Sequence, residues 1–119
     1  MKVLFDHNVD LRFRRHIIGH DISTTREMRW ETLGNGKLLK TATASQFDVL
    51  VSVDKNMERA QNLTSLPLPV IILDAPSNAL PALIPFATFL VELLKTPLDR
   101  ALYIIEPSGT VRHLTARRP

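Results

Sequence analysis

Short apolar runs that stop at an acid recur along this chain, and stretches of helical spacing separate them. Val3-Leu4-Phe5 stops at Asp6, so Lys2 to Phe5 reads as a buried strand. In Val9 to Ile18, Phe13 and Ile17 share one helical face, while Arg12, Arg14 and Arg15 cover the others. Asp10 suits the positive end of that helix, and Gly19 suits its stop. His20 to Thr24 returns as a second strand. Thr25 to Leu33 lacks periodicity and holds the only tryptophan, Trp30. Asn35-Gly36 signals a turn or helix start, and Lys37 to Ala44 then reads as a helix.

The clearest strand is Phe47 to Val53, ending at Asp54. A short helix over Asn56 to Asn62 precedes a loop at Pro67 and Pro69, and Val70 to Leu73 is a fourth strand ending at Asp74. Asn78 is placed to cap a long helix reaching about Lys95, with Pro81 in its first turn. Ala101 to Glu106 is a fifth strand. Pro107-Ser108-Gly109 is a turn signal, and Thr110 to Leu114 is a short returning strand.

Near-continuous apolar strands alternating with helices predict an α/β fold, with a parallel sheet covered on both faces. Right-handed crossovers place all the parallel strand ends on one edge, where open sheets hold their ligands. Asp6, Asp54 and Asp74 are predicted to stand on that edge. Carboxylates gathered there repel unless compensated, and magnesium or manganese is the usual compensation, because hard cations prefer oxygen ligands. Asn8 and Asn56, two residues beyond Asp6 and Asp54, offer neutral amide oxygens. Ser52 precedes Asp54 by two and shares its side of the strand. An aspartate after a strand is also an ordinary turn former. That reading is kept for Asp74, which precedes Ala75-Pro76-Ser77, while Asp6 and Asp54 are taken together as candidate metal and catalytic acids.

At 119 residues the chain has the size of one domain, residues 1–119, with a flexible tail expected over 115–119. Apolar residues make up 45%, enough for a core, and charged residues 23%, which argues against disorder. With no cysteine, disulfides and thiolate metal sites are excluded. Asp6 arrives too early for a signal-peptide apolar core. The longest apolar stretch, Leu80 to Leu94, is too short to span a bilayer and contains Pro81 and Pro85. A soluble, cytoplasmic protein is expected. A formal net charge of +3 mildly favours a polyanion partner, and Arg12, Arg15, Arg29 and Trp30 are candidate contacts to single-stranded nucleic acid. For Arg12, Arg14 and Arg15 the commoner role is a solvated helix face, and for Trp30 packing of the loop onto the core stands equal to stacking on a base. The histidines lack ligand-type spacing for zinc, and His7 reads as a solvent-facing residue.

Val3-Leu4-Phe5-Asp6-His7-Asn8 resembles the start of short bacterial PIN-like proteins, a family related to the VapC toxin ribonucleases. Gly19-His20-Asp21-Ile22 is similar to that family's helix-to-strand passage. Asn35-Gly36-Lys37-Leu38-Leu39 is similar to its second motif, and the stretch Phe47 to Asn56 to its third; together these cover roughly residues 1 to 75. The resemblance implies a three-layer α/β/α sandwich with a central, mainly parallel sheet. It also implies an acidic ribonuclease site dependent on magnesium or manganese, and a small antitoxin as partner. Asp6 and Asp54 match the first- and third-motif acids, and Asn8 the asparagine after the first. The chain departs from the family where Lys37 stands for the second-motif acid and Asn56 for the second acid of the third motif. A cation close to the site would compete with the metal.

Three functions follow from these residues. The first is a metal-dependent ribonuclease, the toxin of a toxin–antitoxin pair. The second, motivated by Lys37 and Asn56, is a catalytically degenerate module that binds RNA or a protein. The third is a phospho-receiver-like domain with Asp54 as acceptor. Receivers, however, pair two acids after the first strand and place a lysine before a proline after the fifth, where this chain has Asp6-His7 and Glu106-Pro107. Apolar positions beyond one face of residues 80–95 are read as a homodimer or antitoxin surface.

Overall fold

The computed structural model describes residues 1–57 and 66–114. Its frame is a six-stranded sheet of order β2-β1-β3-β4-β5-β6, formed by β1 (Lys2–Phe5), β2 (Asp21–Thr24), β3 (Val49–Ser52), β4 (Val70–Leu73), β5 (Leu102–Ile105) and β6 (Val111–Leu114). β1 to β5 run parallel, and β6 returns antiparallel on β5. The expected α/β class and mainly parallel sheet are therefore present.

Alternation along each strand sends successive side chains to opposite faces. On one face Val3, Phe5, Val51, Ile71, Leu73 and Ile105 pack with Phe13, Leu83, Phe86 and Leu90. On the other, Leu4, Leu50, Ile72, Leu102 and Ile104 pack with Leu38, Leu39 and Ala42 of α1 (Asn35–Ala44). Both faces are dry, which is why β3, β4 and β5 are apolar at almost every position instead of alternating with polar residues.

Two helical segments differ from the expectation. Leu11–His16 is a 3₁₀ helix, shorter than the helix read over Val9 to Ile18. Asp10 does cap it, accepting from the Arg12 N–H, and Gly19 ends the passage with φ +89°. The long helix expected from Asn78 to Lys95 is broken. α2 (Leu80–Leu83) passes through a 3₁₀ turn at Ile84–Phe86 into α3 (Ala87–Leu94). Pro85 lacks the N–H that would continue an α-helical ladder, and its ring crowds the preceding turn. Nor does Asn78 cap this segment: Ala79 occupies that position without a side-chain bond.

The break turns much of the apolar excess of residues 80–95 inward. Leu80, Ala87, Phe89, Val91 and Leu93 are half-buried against the core, so the surface read there as a partner face is mostly taken by the fold itself. Ile84 and Ile18 remain exposed. The helix expected over Asn56 to Asn62 lies, beyond Met57, outside the described residues, as does the tail expected over 115–119.

The β5–β6 hairpin depends on Gly109, whose φ is +93° and whose missing Cβ would stand 2.7 Å from Phe89 Cε1. Gly109→Ala is expected to destabilise the protein by about 1–3 kcal/mol through left-handed strain and displacement of Phe89. Urea unfolding at constant m-value is the measurement, and an unchanged midpoint would refute the packing account.

Candidate functional site

The chain leaves β1 outward to β2, then crosses back to β3 on the other side of β1. Connections that diverge in this way leave a crevice at the carboxyl ends of β1 and β3, a topological switch point. Asp6 follows β1 directly, and Ser52 ends β3. The register Phe5↔Val51 makes Asp6 and Ser52 lateral neighbours on the α1 face. Asp6 N–H donates to Val51 O at 2.9 Å, and Asp6 O accepts from Val9 N–H at 3.0 Å, so the acid's main chain is held on both sides.

Asp6 is only 3% exposed, and its carboxylate accepts two hydrogen bonds. Oδ1 takes the His7 N–H at 2.8 Å and faces His7 Nδ1 at 3.0 Å. Oδ2 takes the Ser52 hydroxyl at 3.0 Å. That hydroxyl has one proton, so the longer approach of Asn8 Oδ1, at 3.4 Å, is a contact and not a second full bond. Ser52 Oγ in turn accepts the Asp54 N–H at 3.0 Å. One buried hydroxyl thus couples the first acid to the main chain of the second. Asp54 Oδ1 accepts from Asn56 N–H at 2.9 Å, closing a small turn, and the Asn56 side chain stays exposed.

His7 is solvent-facing, as expected, with a side chain 55% exposed, yet its Nδ1 is spent on Asp6, which fixes the ring. Asp74, on the same edge, accepts from Lys55 Nζ at 2.8 Å. Lys55 is therefore committed to Asp74 and not to Asp6. Lys37 stands in the first turn of α1, exposed and with no ion pair among the described residues.

The expected nucleic-acid contacts do not gather at the acids. Arg12 is turned back on Asp10 through Nε–Oδ1 at 3.1 Å and Nη2–Oδ2 at 2.8 Å, and this pairing holds the Asp10 carboxyl below its ordinary range. Arg15 is exposed on the 3₁₀ helix, and Arg29 lies in a turn with φ +62°. Trp30 packs edge-on to Phe47 at 5.9 Å. The Trp30 N–H donates to Thr25 O at 2.8 Å, while Phe47, the ring it meets, precedes β3 at the amino edge of the sheet. Packing of the loop onto the core is the role Trp30 fills. A cleft of about 580 Å³ also lies at that amino edge, between Met1, Asp48, Pro69 and Arg100, and none of Asp6, Asp54 and Asp74 lines it.

Two features beside Asp6 were not read from the sequence. Thr25 continues β2 next to Asp6, fully buried, its hydroxyl without a partner among the described residues. Thr24 and Glu27 form a reciprocal cap: Thr24 N–H donates to Glu27 Oε1 at 2.9 Å, and Glu27 N–H to Thr24 Oγ1 at 3.1 Å. Arg14 Nη1 adds a bond to the same Glu27 oxygen at 2.9 Å. The Thr-x-x-Glu spacing is the signal for such a cap, outside any long helix in this case.

Asp6, Asp54 and Asn8 offer oxygen donors at this edge, and Ser52 Oγ links the Asp6 carboxylate, the Asn8 amide oxygen and the Asp54 main chain. Asp6 Oδ2 keeps lone-pair capacity beyond the Ser52 bond, and the second Asp54 oxygen has no partner among the described residues. No group of three or more His, Cys, Asp or Glu placed to hold a metal occurs among the described residues. The set suits a hydrated magnesium or manganese ion reached through one or two carboxylates, not a closed multi-acid cage. No family model matches the chain, and neither does any curated protein or solved structure. Among the described residues no helix is long and apolar enough to cross a membrane.

Ser52→Ala removes the donor to Asp6 and the acceptor of Asp54 N–H together. A loss of about 1–3 kcal/mol is expected, since two buried polar groups lose their partner. Chemical denaturation of the variant measures it, and a loss below about 0.5 kcal/mol would show that water replaces the hydroxyl without penalty.

Proposed function

We propose that this chain is a PIN-like, metal-assisted endoribonuclease domain acting on single-stranded RNA through Asp6 and Asp54. The observation that carries the reading is the buried Asp6 carboxylate at the switch point, joined through Ser52 to the main chain of Asp54. A negative group kept in a dry crevice at this edge is costly unless it serves a cation or a ligand. Its bonds come from neutral main-chain and hydroxyl donors and from one imidazole, so its charge is left for a partner.

In this reading Asp6 and Asp54 hold the ion and Asn8 adds a neutral oxygen. Magnesium or manganese, when bound, supplies the charge that activates water and offsets the phosphate. Ser52 keeps the two acids in register, and the Asp6–Nδ1 contact orients His7 toward the opening. Apolar layers on both sheet faces support the three-layer sandwich. The toxin of a toxin–antitoxin pair, in the cytoplasm and with a small antitoxin as partner, is the role that the resemblance suggests for such an activity.

One observation favours the degenerate module: the acid pair has no third carboxylate among the described residues, and each Asp6 oxygen already accepts a hydrogen bond. Cleavage of a labelled single-stranded RNA decides between the two. With manganese the protein is expected to cut, and both EDTA and Asp6→Asn, purified identically, are expected to lower the rate at least a hundredfold. Cleavage by the wild type no faster than by Asp6→Asn would reject the nuclease and leave the binding module.

A further inference from the structure

Beside Asp6, between the loop over residues 7–11 and the turn over 24–27, lies a cleft of about 360 Å³. We infer that this cleft is a nucleobase subsite, taking the base next to the phosphate that Asp6 and Asp54 serve; the assignment rests on the nucleic-acid reading above. Its volume falls at the lower end of small-molecule clefts, about 300–1,000 Å³. His7 is the wall shared with the acid site, its Nδ1 3.0 Å from Asp6 Oδ1. A ligand in the cleft therefore touches the ring that touches Asp6.

The lining suits a planar, hydrogen-bonding ring. Val9 and Leu11 give it an apolar side, and Leu11 is 46% exposed, a large apolar group left in water at the cleft. Glu27 Oε1 is held by Thr24 and Arg14, which fixes the carboxylate while Oε2 has no partner among the described residues. Asp10 is turned to Arg12, whose N–H and Nε both fill Oδ1 while Nη2 reaches Oδ2. Each carboxylate of the cleft is thus balanced by an arginine, so the cleft does not repel a nucleotide as an acidic pocket would. Arg26, exposed and without an ion pair among the described residues, is free to lay its guanidinium on a base.

A fixed carboxylate accepts from the amines of adenine, cytosine and guanine. Uracil has no exocyclic amine, and its one Watson–Crick-edge donor, N3–H, lies between two carbonyls that a carboxylate repels. The subsite therefore discriminates against uridine by roughly tenfold, the scale of one hydrogen bond to a charged group.

The test uses the isotope-labelled protein in EDTA, titrated with each of the four ribonucleoside 5′-monophosphates and followed by amide NMR. Shifts are expected at Leu11, Thr24, Arg26 and Glu27, weakest with the uridine nucleotide. Leu11→Ala and Arg26→Ala, both at exposed positions, are expected to weaken binding roughly tenfold with the rest of the spectrum unchanged. Absent shifts, shifts only elsewhere, or full affinity in both variants would overturn the subsite. RNA cleaved by both variants with unchanged base preference would overturn it while leaving the nuclease standing. Cleft shifts in a protein that cuts no RNA would keep the subsite and remove the nuclease.

Discussion

The hydroxyl of Ser52 holds together two strand ends that would otherwise carry mutually repelling acids. It donates to Asp6 and accepts from the main chain of Asp54, and it can do both because β1 and β3 are adjacent and in parallel register. A serine as the last residue of an otherwise apolar strand costs little here, since both its donor and its acceptor capacity are used. An alanine would pack as well but would leave a buried carboxylate oxygen short of a donor. The geometry of the site therefore depends on one buried side chain and on the pairing that places it.

That pairing follows from how the apolar surface is divided. Each strand is four residues long, and the side chains of β1, β3, β4 and β5 feed two separate cores, one under α1 and one under the 3₁₀ helix and α2–α3. A register slip of one residue would exchange the two sets and send Ser52 to the wrong face. The packing that stabilises the sheet is thus also what aims Asp6 and Ser52 at each other. Around them the charged groups pair locally: Arg12 with Asp10, Arg14 with Glu27, Lys55 with Asp74. Pairs this exposed contribute little to stability, but they decide which charges remain open to a ligand. On the edge near Asp6 these pairs leave Arg26 and one oxygen of Glu27.

Much of the architecture was legible in the residues. Apolar runs ending in acids located β1, β3 and β4, because a strand buried on both faces must be apolar throughout. Gly19 and Gly109 marked turns for the reason found: both adopt positive φ. The failures have equally local causes. Periodicity alone read residues 80–95 as one helix, although Pro85 removes a ladder bond. How much of the apolar excess there leans into the core is set by that break, which sequence periodicity does not show. That Trp30 meets Phe47 and Arg12 meets Asp10 is not visible in a one-dimensional reading, since neither contact follows from local periodicity.

By itself the sequence determined the α/β class, the mainly parallel sheet and the placing of Asp6, Asp54 and Asp74 at strand ends, since these depend on local periodicity and chain punctuation. Only the tertiary structure decided which acids are coupled. Strand order put β1 beside β3, which joined Asp6 to Ser52 across 46 positions of chain, while Lys55 turned Asp74 to a separate ion pair. The cleft beside His7 is likewise tertiary. Its walls come from two segments that neither spacing nor composition relates, and they meet because β1 and β2 end side by side.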